Sequence, residues 1–411
     1  MTTITNDVTI RVLIVTMKRW WIGVSRLPMG LRQAGFEVAA WCPEESFIAR
    51  SGGLTKHYPW DIHANWRREL LRIVEDWQPT VIIPADETVA AFLRKLALRP
   101  SWFNPGQKRL RRILRESLGD PNRTAALDGK IQLQRLARSL GIRTPNDQAA
   151  SDLESAVALA EEIGYPVVLK DEFAAGGAGV KICPDAATLR AAWKDLDANQ
   201  TAPSLKSKAL SFLKPPFHWH VARRSVQRFI QGRPAFHAVV AWKGRRLGGV
   251  TAVVETSSPP GTGPSCVVRL TEIPEVSKAC ADLIRRTGMT GFAGFDFMIE
   301  ESIGHAYILE CNPRPTPVSH LGGMVGSDLC ELFRDALLGR LPPEAGHYSE
   351  RLLAFFPQEL LRDPRSPYLG RAHLDFPQND APLLAAFLER YPELTAAMAV
   401  ARPFLPSSAI Q

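Results

Sequence analysis

Two short apolar segments near residue 300 each carry one carboxylate, and a short polar turn separates them. The first spans residues 291–299 and contains Asp296, and the second spans residues 306–312 and contains Glu310. The turn contains a serine and a glycine, so the pattern predicts a β-hairpin. Folding the hairpin about its centre places Asp296 opposite Glu310 or the residue before it. Like charges that face each other across a sheet repel, so a bound cation would relieve this pair.

The residues that follow Glu310 favour a magnesium site beside a polyphosphate. Side chains alternate along a strand, so Asn312 shares a face with Glu310. Carboxylate and amide oxygens suit Mg²⁺, and the guanidinium of Arg314 suits phosphate oxygens. Two plainer alternatives are an exposed hairpin with solvated charges, and an Arg314 that merely pairs with Glu310.

Composition limits the classes of protein that the chain can be. The 411 residues predict two or three domains, and the net charge of +8 is scattered along the chain. The densest basic run, residues 108–115, is either a solvated helix face or a patch for an acidic partner. The six cysteines form no Cys-x-x-Cys pair, which favours reduced thiols in a cytoplasmic protein. We find neither a basic-then-apolar leader nor a long apolar run, so the sequence does not predict a membrane protein.

Strands and helices alternate in the first hundred residues. Residues 9–15, 37–41 and 80–84 are predicted strands, and helices should connect them. This order predicts a doubly wound α/β unit with a parallel sheet. Asp86 and Glu87 follow the last of these strands, at the edge where such sheets bind ligands. They could equally begin the next helix.

The predicted strand at 166–170 ends in a lysine, and a run of small residues follows it. Lys170 closes that strand, and residues 174–179 form a reversal of alanine and glycine. Small residues let backbone N–H groups approach phosphate oxygens, and a lysine adds a point charge. By itself, such a reversal is as consistent with an ordinary turn.

Taken in order, the motifs of this chain resemble those of the ATP-grasp superfamily. The resemblance covers about residues 10 to 340, and its last motif is the most specific. The matching segments are Asp128-Gly129-Lys130, Tyr165 to Lys170, Gly176 to Gly179, Val226 to Gly232, Gly294 to Phe297 and Leu309 to Arg314.

The resemblance implies an α/β fold of three parts. A doubly wound parallel α/β domain at the N-terminus would precede two α+β subdomains with antiparallel sheets that clamp ATP. We expect the N-terminal domain over 1–115, the ATP-grasp domain over 116–340 with a flap at about 165–230, and an appended segment over 341–411.

The resemblance also implies a role for each motif residue. Lys130 and Lys170 would hold the ATP phosphates, and Arg314 with Lys170 would serve the transfer. The flap would carry the glycines and one strand would meet adenine, while two carboxylates and an amide would bind Mg²⁺ or Mn²⁺. The flap glycines are Gly176, Gly177 and Gly179, the adenine strand is Gln227, Arg228, Phe229 and Ile230, and the metal ligands are Asp296, Glu310 and Asn312.

Most members of this superfamily are ligases that activate a carboxylic acid as an acyl phosphate, release ADP and join the acid to an amine. We expect the same activity here, with a small acid and a small amine as substrates and no membrane or nucleic-acid partner. An oligomer stays open. The alternatives are a small-molecule kinase and a nucleotide-binding protein without turnover. Relatives that carboxylate biotin carry a glutamate shortly after the Asn-x-Arg triplet, whereas this chain has none at 315–320.

Several other residues allow both a functional and a structural interpretation. The His218-Trp219-His220 segment could bind a metal, although a structural role is the simpler interpretation. Three pairs could touch substrate or serve packing, loop capping or a surface salt bridge. They are Trp20 with Trp21, Ser319 with His320, and Glu255 with Arg269.

Overall fold

The structure is a computed structural model. It describes residues 9–61, 63–98, 105–127, 129–171, 179–198, 224–261, 263–340 and 350–406. Gly176, Gly177 and the 218–220 segment lie outside these residues.

A four-stranded parallel sheet forms the N-terminal part, in the order β3-β2-β1-β4. The predicted doubly wound α/β unit is confirmed. The third strand was not predicted, because it has only four residues and is half-exposed. The strands are β1 (Ile10–Val15), β2 (Phe36–Cys42), β3 (Lys56–Pro59) and β4 (Val81–Pro84), and the helices are α1 (Leu27–Gln33), α2 (Trp66–Trp77), α3 (Glu87–Leu98) and α4 (Pro105–Leu118).

Helices cover both faces of this sheet, which explains why β1, β2 and β4 are mostly apolar. Val12 and Ile14 of β1 belong to the core shared with the large sheet described next, whereas Leu13 and Val15 pack with α2, α3 and α4. Successive side chains of β1 point to opposite faces of the sheet, so this one strand contributes to two separate cores.

A seven-stranded sheet forms the centre of the molecule, in the order β13-β12-β9-β10-β11-β14-β15, and all its pairs except the last are antiparallel. Helices α6 and α9 pack on one face of this sheet. Its strands are β9 (Gly232–Trp242), β10 (Arg245–Ser257), β11 (Ser265–Thr271), β12 (Gly291–Glu300), β13 (Ala306–Asn312), β14 (Arg351–Ala354) and β15 (His373–Leu374), and nearby helices are α5 (Pro121–Thr124), α6 (Lys130–Ser139), α9 (Pro274–Thr287) and α10 (Leu329–Leu337).

A second antiparallel sheet has four strands in the order β5-β8-β6-β7. Two helices cover one face of it with a small apolar core. Two antiparallel sheets were predicted, and both are confirmed. The elements are β5 (Asp147–Ala150), β6 (Val167–Asp171), β7 (Val180–Cys183), β8 (Arg224–Arg228), α7 (Leu153–Ile163) and α8 (Ala186–Ala198).

The C-terminal segment is built into the rest of the molecule. Strand β14 extends the seven-stranded sheet by pairing with β11. Its helices enclose Phe47, which comes from the N-terminal part. These helices are α11 (Gln358–Arg362), α12 (Ala381–Arg390) and α13 (Glu393–Val400). The domain limits near residues 115 and 340 stay predictions.

A buried ion pair also joins the two ends of the chain. Arg26 Nη2 donates to the backbone oxygens of Asp375 (2.6 Å) and Phe356 (3.2 Å), and Arg26 Nε lies 3.4 Å from Asp375 Oδ1. His320 Nε2 lies 3.1 Å from the same Oδ1 atom. Both Arg26 and Asp375 are 7% exposed. Charges this deep are stable only when paired.

In the described part of the chain, every helix is too short or too polar to cross a lipid bilayer.

We expect the Asp375→Ala substitution to cost about 3–5 kcal/mol of stability, because it leaves the Arg26 guanidinium buried without its carboxylate. The measurement is the midpoint of thermal unfolding. Glu389→Ala is the matched control: it breaks an exposed pair with Arg50 (3.0 Å) and should cost less than about 1 kcal/mol. Equal shifts in the two variants would contradict a structural role for the buried pair.

Candidate active site

The hairpin of β12 and β13 places Asp296 directly opposite Glu310. A register shift follows Asp296, so that Phe297 pairs with Ile308 and Leu309 is the extra residue of a bulge. The predicted pairing is therefore confirmed, and the bulge is a detail that the sequence did not indicate.

The pKa values of the two carboxylates are shifted in opposite directions, so that Asp296 is the member that holds a proton more readily. Burial and the neighbouring Glu310 carboxylate raise the pKa of Asp296 well above its usual value. Burial alone would raise the pKa of Glu310, but Lys130 and the hydrogen bond with Asp296 outweigh it and lower that pKa. Asn312 Nδ2 donates to Asp296 Oδ2 at 3.0 Å. A divalent cation would replace the proton, so this donor set fits Mg²⁺.

Among the described residues, no three His, Cys, Asp or Glu side chains form a metal-binding group. The site thus offers two carboxylates and the Asn312 amide. Mg²⁺ commonly binds to one or two carboxylates and completes its octahedron with water and substrate phosphates. This small set of protein ligands therefore fits a metal ion that binds together with a polyphosphate.

Two lysines from different elements converge beside the carboxylates. Lys130, the first residue of α6, lies with its Nζ 3.4 Å from Glu310 Oε2 and 3.4 Å from the Asp171 carbonyl oxygen. Lys170 of β6 donates to Gln227 Oε1 at 2.6 Å. Burial, with a smaller contribution from the charge of Lys130, lowers the pKa of Lys170 to about 8. The small and large sheets therefore present cations to one region.

Arg314 is held by a residue of the N-terminal part and not by Glu310. Its Nε and Nη2 atoms lie 2.7 and 2.5 Å from Glu87 Oε1. Lys18 Nζ lies 3.2 Å from Glu87 Oε2. Burial alone would raise the pKa of Glu87, but Arg314 and Lys18 outweigh it and lower that pKa to about 2. The alternative in which Arg314 pairs with Glu310 is wrong, because Glu87 occupies the guanidinium fork.

The indole of Trp21 forms an apolar wall beside this network. The Arg314 guanidinium lies 5.4 Å from the ring centroid, and the Lys18 ammonium lies 4.3 Å from it. Both distances are within cation–π range. Trp20, in contrast, packs on Phe47 in the C-terminal core. Of the two adjacent tryptophans, Trp21 therefore lies beside the candidate site and Trp20 packs in the C-terminal core.

Asp86 positions the two N-terminal contributors to the network. It is fully buried, and its Oδ2 atom accepts hydrogen bonds from Thr16 Oγ1 (2.8 Å) and the Met17 amide (2.7 Å). Its Oδ1 atom accepts the Val89 amide at the start of α3. Lys18 and Glu87 flank these anchored residues. Both alternatives for this acidic pair were therefore partly right: Asp86 caps a helix and Glu87 reaches the site.

Gly294 leaves room for the loop that follows Arg314. A Cβ atom at this position would lie 2.2 Å from Thr316 Cγ2. Glycine is therefore required two residues before Asp296, where the loop crosses the strand.

The segment predicted to meet adenine connects the two sheets. Gln227 is buried and its side chain is tied to Lys170, whereas Arg228 is exposed. Two open clefts flank the segment. One of about 500 Å³ contains Arg228 and Ile230 with Arg138, Arg143, Thr144 and Tyr307, and one of about 620 Å³ contains Arg228 and Phe229 with Tyr165, Gln231 and Glu300.

The other predicted residues have local partners. Gly179 accepts the Asp171 amide through its carbonyl oxygen at 2.9 Å. Arg269 Nε lies 2.8 Å from Glu255, as in a plain salt bridge. Ser319 accepts the Thr316 amide through its hydroxyl and so caps its own loop. No sequence pattern indicated Lys18 as a site residue beyond its place after a strand.

Comparison with known proteins gives short sequence matches. A family model described as the ATP binding domain of the carbamoyl-phosphate synthase L chain matches residues 129–211. The C-terminal section of the carbamoyl phosphate synthase large chain of Methanopyrus kandleri is 25% identical over 236 residues, 55% of this chain and 40% of the relative. The large chain of Kocuria rhizophila is 26% identical over 188 residues, 44% and 15% of the two chains. The chain thus spans less than half the length of these relatives.

Solved structures match over most of the fold. N5-carboxyaminoimidazole synthetase from Staphylococcus aureus, solved with ADP, matches with a TM-score of 0.59 and 13% identity, and the match covers 84% of this chain and 83% of that chain. L-amino acid ligase from Bacillus licheniformis matches with a TM-score of 0.57 and 14% identity, covering 84% and 80%. At these identities, the likeness shows a shared fold.

We expect the affinity for ADP to fall about tenfold from about pH 7 to about pH 9, because Lys170 loses its charge as the pH rises through its pKa of about 8. The measurement is a calorimetric titration at several pH values. Lys170→Arg keeps its charge over this range, so its affinity should stay nearly constant. A wild-type affinity that does not change with pH would exclude Lys170 as a phosphate ligand.

Proposed function

We propose that this chain is an ATP-grasp protein, an ATP-dependent ligase that joins a carboxylic acid to an amine and releases ADP and phosphate, and the matched family model and the shared fold support this proposal. One observation carries this proposal. The opposed pair of Asp296 and Glu310 lies beside two lysines and an arginine, at the junction of two antiparallel sheets.

The nucleotide would lie between the two sheets. Its base would meet the segment Gln227–Ile230, and its phosphates would reach Lys130 and Lys170. The pKa of Lys170 is lowered mainly by burial and also by repulsion from the ammonium group of Lys130. A phosphate chain placed between them would remove that repulsion and restore the charge of Lys170.

Asp296, Glu310 and Asn312 would hold Mg²⁺. When bound, the metal supplies Lewis-acid charge stabilisation on the phosphate oxygens. The residues of this chain do the positioning, since phosphoryl transfer depends on alignment and charge neutralisation more than on covalent help from the protein.

The acid substrate would bind next to Arg314. The network of Lys18, Glu87 and Arg314 carries one more positive than negative charge, which suits an anionic group. Glu87 orients the guanidinium plane, and Trp21 offers an apolar wall for the body of the acid. The N-terminal part would therefore contribute to substrate recognition, and the second sheet would contribute the phosphate contacts.

The proposed reaction has two steps. A carboxylate oxygen of the acid attacks the γ-phosphorus, the bond to the β-phosphate oxygen breaks, and ADP leaves. The amine nitrogen then attacks the acyl carbon, phosphate leaves, and the nitrogen loses a proton to complete the amide. Arg314 would neutralise charge on the transferred phosphoryl group in both steps.

We expect ADP and phosphate as products when a panel of acids and amines is screened by phosphate release and nucleotide chromatography. With hydroxylamine in place of the amine, an active acid should give a hydroxamate, because hydroxylamine traps an acyl phosphate. Formation of AMP and pyrophosphate would contradict the proposal. ADP formation without any hydroxamate would favour a kinase that phosphorylates a hydroxyl.

We expect Glu310→Gln to lower turnover by about a hundredfold while the protein stays folded, because one metal-binding charge is lost. The measurement is ADP formation, with the thermal midpoint as a check of folding. Glu75→Gln is the matched control, since Glu75 is exposed on α2 and lines none of the clefts described above. Near-normal turnover in Glu310→Gln would remove the metal assignment.

A further inference from the structure

An open cleft of about 700 Å³ lies between the N-terminal part and the seven-stranded sheet, and it shares no residue with the candidate active site. Its volume is in the range of small-molecule sites. The basic residues that line it are Lys108, Arg111, Arg112, Arg115, Arg123 and Lys243, and the other lining residues are Glu116, Gly119, Asp120, Gly288 and Thr290.

Helix α4 supplies one wall as a stripe of cations. Lys108, Arg111, Arg112 and Arg115 are spaced i, i+3, i+4 and i+7, so they lie on one helix face. The opposite face buries Leu110, Ile113 and Leu114 in the N-terminal core. Like charges at this spacing destabilise a helix, and within the described part of the chain only Arg111 of the four makes a tertiary hydrogen bond, from its Nε to the Ala97 carbonyl oxygen at 3.0 Å.

The second wall comes from elements around the seven-stranded sheet. Arg123 extends from α5 and donates through Nη2 to the Arg286 carbonyl oxygen at 2.9 Å. Lys243 lies in the β9–β10 turn with a φ of 49°, and its amide donates to Thr290 Oγ1. The two walls meet tightly, since a Cβ atom at Gly119 would lie 2.5 Å from the Gly288 carbonyl oxygen. The cleft is therefore built into the packing of both parts.

The charge of the cleft is not balanced by the protein. Six cationic side chains line it, against two carboxylates. Within the described ranges, Lys108, Arg112 and Arg115 form no ion pair, and all three are exposed. These groups are available to a ligand without breaking an internal contact.

We propose that this cleft binds a small polyphosphate anion at a site separate from that of the ATP substrate. Guanidinium groups match phosphate oxygens in pairs, and four of the six cations are arginines. The stripe on α4 is about 10 Å long at 1.5 Å per residue, which is the length of a few linked phosphates. The lining contains no aromatic side chain on which the bases of a single strand could stack. These features favour a small polyphosphate over a nucleic acid.

The test is a calorimetric titration of the full chain with inorganic tripolyphosphate in EDTA at about 0.15 M salt. No turnover enters the measurement, so the result does not depend on the proposed ligase activity. We expect the double variant Arg112→Glu/Arg115→Glu to bind at least about tenfold more weakly than the wild type. The variant Lys130→Ala, in the candidate active site, should bind nearly as well as the wild type.

The matched control is Arg67→Glu/Arg68→Glu, which makes the same change in charge on α2, away from the cleft lining. It should change the affinity by less than about threefold, since exposed charges are screened within about 8–10 Å. Equal weakening in both double variants, or a loss confined to Lys130→Ala, would overturn the proposal. Tighter binding of a 20-nucleotide strand than of tripolyphosphate, lost in the cleft variant, would overturn it in favour of a nucleic-acid surface.

If the double variant has a lowered thermal midpoint, Lys243→Glu tests the other wall separately. Lys243 is exposed in a turn, and its backbone contacts do not depend on the side chain. The proposal would also be overturned if Lys243→Glu and a folded Arg112→Ala/Arg115→Ala variant both bound tripolyphosphate with the affinity of the wild type.

Discussion

The repulsion between Asp296 and Glu310 is the constraint around which the rest of the site is arranged. The register of β12 and β13 forces the two carboxylates to face each other, and burial together with this repulsion raises the pKa of Asp296 well above its usual value. Lys130 reaches this pair from α6, and Asn312 donates to one member of it. Phe295 and Phe297, on the other face of β12, are buried in the core, so the strand cannot rotate its carboxylate away. Packing of the hydrophobic core thus holds the two carboxylates in a position where they repel each other. A bound divalent cation would relieve this repulsion.

The site is completed by a part of the chain that carries none of the motifs. Glu87 orients Arg314, and buried Asp86 fixes the start of α3 and the loop that carries Lys18. Arg26 and Asp375 join the N-terminal part to the C-terminal segment through a second buried pair. The family model that matches residues 129–211 includes Lys130 and Lys170 but none of these residues. The motif residues therefore form only part of the candidate site, and residues outside the motifs complete it.

Local patterns predicted the fold well where one face of a strand or helix had to be buried. The hairpin register followed from the alternation of apolar residues, and the parallel N-terminal sheet followed from the alternation of strands and helices. The bulge at Leu309 and strand β3 were missed, because a bulge leaves no periodic signal and β3 is short and half-exposed. The site was predicted as far as its motif residues lie on such elements. The roles of those residues stay predictions, although the structure brings Lys130, Glu310, Asp296 and Asn312 together.

The sequence alone determined the strongly patterned strands and helices, the opposed carboxylates and the basic face of α4, because each depends on side-chain spacing of two or about 3.6 residues along one element. Only the tertiary structure decided that Arg314 pairs with Glu87, that Trp20 and Trp21 serve different surroundings, and that the cations of α4 face Arg123 and Lys243. These contacts join residues far apart in the chain. Their geometry depends on how separate cores pack, and no local pattern records that packing.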